Sequence, residues 1–180
     1  MPQKSAVILF LLLSLTFFCI GGCAPVHREA GGSRVEVIAT IFPLSDIAAR
    51  LGGEKIAVSC LLPPGASPHS FEPTAEQARE AARASLFVYM GGSLDDWAVK
   101  TARAGSEQLF LLNLYEKALA DGWTAPPGKG GEVSGNHFNP HLWLDPLTVR
   151  DYLCPALGEA LVEADPENED YYRANLAAYQ

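Results

Sequence analysis

The side chains in this sequence with the widest chemical reach are four histidines, His27, His69, His137 and His141, and four cysteines, Cys19, Cys23, Cys60 and Cys154. Two of the histidines sit in stiffened surroundings. His69 lies in Leu61-Leu62-Pro63-Pro64-Gly65-Ala66-Ser67-Pro68-His69-Ser70-Phe71-Glu72-Pro73, and His141 in Asn139-Pro140-His141-Leu142-Trp143-Leu144-Asp145-Pro146. Neutral imidazole is the commonest borderline ligand for a divalent transition metal, with a Zn–N bond of about 2.0–2.1 Å. Flanking prolines restrict the backbone, which presets ligand direction and lowers the ordering cost of binding. Spacing alone does not make a site, because two histidines some seventy residues apart are ordinarily surface or core residues.

The neighbouring candidates have plainer explanations beside the chemical ones. Glu72 and Asp145 follow His69 and His141 closely, and a carboxylate that accepts the second imidazole N–H would fix the ligand tautomer. Asp145 also reads as the N-cap of a helix that begins at Pro146, while Glu72 reads equally as a solvated loop residue. His137, four positions before His141, reads as an exposed loop histidine or an accessory ligand. Asp95-Asp96 are adjacent, so they do not form an acid–base pair on a helix; first-turn carboxylates favouring the helix dipole are the expectation. Trp97 and Trp143 read as core packing. The sequence contains no Gly-x-Ser-x-Gly, phosphate loop or His-Glu-x-x-His.

The compartment is written at the N-terminus. Lys4 precedes an apolar run over residues 6–18, and Ile20-Gly21-Gly22-Cys23 follows. That order predicts a signal peptide over residues 1–22, too short to span a bilayer. Residues 23–33 read as a tether of small and polar residues. Of the remaining cysteines, Cys60 sits in a strand-like run and Cys154 in a helical one. An oxidising compartment permits a bridge between them, but both are expected to be buried free thiols. With no Cys-x-x-Cys pattern, they are not read as metal ligands. A net charge of -8 with no Lys/Arg cluster argues against a nucleic-acid partner.

The elements that must position His69 and His141 alternate. Residues 34–40 form a first strand, followed by a helix with Leu44, Ile47, Ala48 and Leu51 at helical spacing, closed by Gly52-Gly53. Residues 55–62 form the second strand, and the loop of residues 63–73 carries His69. Thr74 and Gln77 make a capping box for a helix over residues 75–84. A third strand (85–90), a helix capped by Ser93 and running to Arg103, and a fourth strand (108–113) follow. A Gly/Pro-rich loop over residues 121–140 leads to two helices opened by Asp145-Pro146 and Asp165-Pro166. This pattern predicts an α/β fold with an open, mostly parallel four-stranded sheet and flanking helices, whose sites lie beyond the carboxyl ends of the strands.

The strings around both histidines resemble those of the metal-specific solute-binding proteins of ABC importers, the zinc/manganese receptor and adhesin-lipoprotein family. The likeness extends from about Val35 onward through Thr40-Ile41-Phe42-Pro43-Leu44, Tyr89-Met90-Gly91-Gly92 with Asp96-Trp97, and Asp165-Pro166 leading to Tyr172 and Asn175. Ile20-Gly21-Gly22-Cys23 looks like a bacterial lipobox with Cys23 as the lipid-modified residue, which implies an extracytoplasmic, membrane-anchored protein. The resemblance implies two α/β lobes joined by a long helix, with Zn2+ or Mn2+ held between them. His69 and His141 match the two ligands of the N-terminal lobe, a membrane permease is the implied partner, and no enzyme activity is implied. On this reading residues 34–163 are the N-terminal lobe and residues 164–180 begin the linking helix. The expected chain therefore holds half a site and stops short of the second lobe. A surface adhesin whose metal is structural, and a secreted hydrolase with a two-histidine metal site, are the alternatives; the hydrolase lacks a placed general base.

Overall fold

A computed structural model describes residues 34–104, 109–124 and 139–180. The expected signal peptide and tether, with Cys23 and His137, lie outside the described residues. Strands β1 (Val35–Ala39), β2 (Ile56–Cys60), β3 (Leu86–Tyr89) and β4 (Phe110–Asn113) form one sheet in the order β2-β1-β3-β4. Every pairing is parallel, with Val37 opposite Val58 and Leu86, and Leu86 opposite Phe110. The expected α/β architecture is therefore present, and strand order reverses between β1 and β3, the place where open α/β sheets form a crevice.

Alternation along the strands splits the core between two faces. Val35, Val37 and Ala39 of β1, with Leu86 and Val88 of β3, face one cluster. It is completed by α1 (Phe42–Gly52), α4 (Leu114–Ala120), α6 (Cys154–Ala164) and α7 (Glu169–Tyr179). Ile38 and Phe87 point the other way, against Ala81 of α2 (Ala75–Ala81) and Ala98 and Ala102 of α3 (Trp97–Arg103). Burying a residue such as Phe87 or Leu51 contributes about 1.5–3 kcal/mol each, so both helical layers are held firmly. Tyr172 of α7 is fully buried, and its hydroxyl donates to the Asp165 carboxylate at 2.6 Å. No helix among the described residues is long and apolar enough to cross a membrane.

Local chemistry accounts for the boundaries. Helix α1 ends where Gly53 takes φ +51, a conformation glycine adopts without a Cβ penalty. Thr74 and Gln77 close the expected capping box of α2. Asp145 caps α5 (Pro146–Thr148) by accepting from the Thr148 amide. A π-helical stretch, Val149–Leu153, then leads into α6. It lies just before Pro155, which has no N–H to donate to the preceding turn.

Five expectations are corrected. Residues 114–120, left without an element, form α4; the Asn113 side chain that ends β4 also caps the helix, accepting from the Glu116 amide at 3.1 Å. Strand and helix abut there without a turn signal. Ser93 caps nothing: it has φ +69 and the helix starts later, at Trp97. The reason is Asp95, which is not a first-turn carboxylate but fully buried, accepting from the Met90 amide (2.9 Å), the Gly91 amide (2.8 Å) and the Thr40 hydroxyl. Asp165 serves Tyr172 and Asn168 side chains rather than a helix amide. Cys60 and Cys154 are both free, but only Cys154 is buried, because Cys60 ends an edge strand.

Candidate functional site

The loop after β2 brings His69 to the carboxyl edge of the sheet, and a short 3-10 turn, Leu142–Leu144, follows His141. Their ring centroids are 5.6 Å apart with planes inclined at 58°. Two imidazoles on one tetrahedral zinc, with Zn–N of about 2.0–2.1 Å, have ring centres roughly 5 Å apart. The separation therefore suits a shared ion without large movement. Trp143 packs its ring 5.1 Å from that of His141.

The two histidines are held differently. His141 is half-buried, and its backbone N–H donates to Asn139 Oδ1 at 3.1 Å. The same oxygen accepts from the His141 Nδ1–H. An oxygen that already accepts from an amide requires the ring nitrogen to donate, so the lone pair is left on Nε2, outward-facing chemistry that suits a metal. Burial lowers the pKa of His141, and repulsion from His69 lowers it further. His141 is therefore neutral, the form that ligates, down to a more acidic pH than an ordinary histidine.

His69 is exposed, and its loop is fixed through the neighbouring backbone. The Trp97 Nε1–H donates to the Pro68 carbonyl at 2.8 Å, and the Phe71 ring meets Trp97 edge-on at 5.0 Å. The loop also forms one wall of an apolar cleft of about 480 Å³, bounded by Phe42, Pro43, Leu62 and Trp143. Phe42 is 70% exposed at its rim.

The remaining candidates separate. Asp145 binds the Thr148 amide and hydroxyl, as a cap does. Glu72 is exposed and makes no hydrogen bond to either imidazole among the described residues. Among those residues no group of three or more His, Cys, Asp or Glu side chains is arranged to hold a metal ion, so the histidines stand as a pair. Asn139 and Trp97 act on the site without having been assigned to it from sequence. Asn139 carried a turn signal before proline, whereas nothing in the sequence gave Trp97 a role beyond packing.

The comparisons with known proteins agree with this architecture. The chain is 28% identical over 181 residues to the "Manganese ABC transporter substrate-binding lipoprotein PsaA" of Streptococcus pneumoniae, covering 98% of this chain and 57% of the relative. It is 27% identical to the "Iron ABC transporter substrate-binding lipoprotein MtsA" of Streptococcus pyogenes serotype M6, with 99% and 57% covered. The chain thus spans little more than half the length of these relatives, which are named as binding proteins and not as enzymes. A crystal structure of ZnuA superposes with a TM-score of 0.68 at 27% identity, covering 81% of this chain and 53% of that one. The periplasmic zinc-binding protein TroA of Treponema pallidum shares the fold, with a TM-score of 0.70 at 21% identity over 82% of this chain and 50% of that one. Because residues 37–180 match the family described as "Zinc-uptake complex component A periplasmic", ZnuA, the chain belongs to that family.

Proposed function

We propose that this chain is the metal-capturing lobe of an extracytoplasmic substrate-binding lipoprotein that serves an ABC importer, with His69 and His141 as two ligands for Zn2+ or Mn2+. One observation carries the reading: imidazoles from two separate loops stand 5.6 Å apart at the sheet edge. The Asn139 contact supports it, since it leaves Nε2 of His141 as the ligating atom. Capture needs no bond chemistry; it needs neutral imidazoles and a partner surface. Cys23 would carry the lipid and residues 23–33 would tether the lobe to the membrane, beside the permease that accepts the ion.

The relatives' names include manganese and iron, and that of TroA zinc, so likeness alone does not choose the metal. Imidazole favours zinc, whereas manganese is better served by carboxylate oxygen. A closed zinc site takes about four ligands, so two imidazoles make an open, weak one. Competitive chelation with Zn2+ and Mn2+ on the 180-residue chain tests this. The expected result is affinity weaker than micromolar that disappears in His69→Ala and in His141→Ala. Binding that neither substitution weakens would overturn the assignment.

A further inference from the structure

Among the described residues, no hydrogen bond links either imidazole to the strand or helix that precedes it in sequence. Both are braced from one short segment, the connection between β3 and α3. At its first end Gly92 has φ +59, and a Cβ there would stand 3.0 Å from Cβ of Pro140 and 3.1 Å from the Tyr115 ring. Pro140 can therefore rest directly on the Gly92 backbone, one residue before His141. At the other end Trp97 donates its indole N–H to the carbonyl of Pro68, one residue before His69. Between them the buried Asp95 carboxylate gathers the Met90 and Gly91 amides and the Thr40 hydroxyl. That clamp pins the segment to the sheet at the switch point between β1 and β3.

We propose that residues 90–97 are a positioning platform that sets the separation of the two imidazoles, with Gly92 governing His141 and Trp97 governing His69. The proposal rests on the reading of His69 and His141 as ligands and adds what holds them in register. None of the platform residues touches the ion. They act through Pro140 and Pro68, whose fixed φ transmits a backbone displacement to the next residue with little slack. The glycine at position 92 serves close approach as well as backbone freedom, because a side chain there would crowd Pro140 and Tyr115. Gly122 offers the contrast: it has φ +92, and a Cβ there meets nothing among the described residues within 4 Å.

The test uses the whole chain with Zn2+ alone as probe, in Gly92→Ala, Trp97→Phe, Gly122→Ala, His69→Ala and His141→Ala. Zn2+ affinity is measured by competitive chelation, folding by circular dichroism and thermal melting, and ligation by long-range 1H–15N spectra of the imidazoles. Gly92→Ala and Trp97→Phe are expected to lose about 10- to 100-fold in affinity, the range for residues that orient a metal ligand. The ligation signature should be crossed: Zn2+ shifts only the His69 nitrogens in Gly92→Ala and only those of His141 in Trp97→Phe. Gly122→Ala, which also places a side chain at positive φ (+92) but without a wedge, should bind as the wild type does. Wild-type affinity with both imidazoles shifting in folded Gly92→Ala and Trp97→Phe overturns the platform while leaving the ligand assignment intact. Unchanged affinity in His69→Ala and His141→Ala overturns both. If Gly92→Ala does not fold, Trp97→Phe, which keeps an aromatic ring at the position while losing the indole N–H and its five-membered ring, decides by the same criteria.

Discussion

The two histidine loops make opposite use of the same sheet edge. The segment around His141 is anchored at several points: Pro140 against Gly92, Asn139 on the imidazole, and the buried Leu142 beneath. The loop around His69 is Pro/Gly-rich and exposed, and it is held from outside through Trp97, whose indole N–H donates to the Pro68 carbonyl and whose ring meets Phe71. One imidazole thus has its tautomer and direction set in advance, while the other is placed by its backbone and keeps more freedom. On the proposed ligand assignment, such a site needs only one imidazole to settle when an ion arrives, which reduces the ordering cost of capture.

The largest expected effect breaks the pair outright. A structural four-ligand zinc site is worth about 10–16 kcal/mol, so one ligand carries roughly 3 kcal/mol, or about 100-fold in affinity. His69→Ala and His141→Ala should each lose that much Zn2+ affinity in chelator competition. Next, Asn139→Ala should weaken Zn2+ binding by about 10- to 100-fold, because the His141 ring loses the acceptor that selects its tautomer. Glu72→Ala should leave affinity unchanged. A loss in Glu72→Ala as large as that in Asn139→Ala would mean that the two loops are supported symmetrically after all. Third, Asp145→Ala should lower stability by about 0.5–2 kcal/mol through loss of the helix cap, read as a shift in thermal midpoint with little change in metal affinity.

These differences track what the sequence could show. The parallel sheet, the C-terminal end of α1 and the capping box of α2 were legible because each rests on local chemistry: β-rich runs, a glycine pair, Thr74 with Gln77 three residues on. Helix α4 was not, since Asn113 serves at once as the last residue of β4 and as the cap, so no turn separates the two. Asp95 was misread for a related reason. Its neighbours suggested a helix start, but its partners, Thr40 and the Met90 and Gly91 amides, lie across the switch point, and only strand order brings Thr40 there. The histidines could be picked out by their proline-flanked strings, yet their 5.6 Å approach depends on contacts between Gly92 and Pro140 and between Trp97 and Pro68. Sequence separation conceals such contacts.

The smallest effect discriminates most finely between the loops. The His141 pKa lies below its ordinary value first because of burial and second because of His69. Since the folded chain favours the neutral ring, this histidine contributes stability at neutral pH that is lost as pH falls through its depressed pKa. Protons and metal compete for the same Nε2 lone pair on the proposed assignment, so Zn2+ affinity should fall as pH drops through the depressed pKa of His141. In His69→Ala the repulsive contribution disappears while burial remains. The His141 titration, followed by the C2–H resonance, should therefore move upward but stop short of a solvent-exposed histidine. A full return to the ordinary value would show that the anchored loop is not buried enough to hold its imidazole neutral, and that the contrast with the His69 loop is one of charge alone.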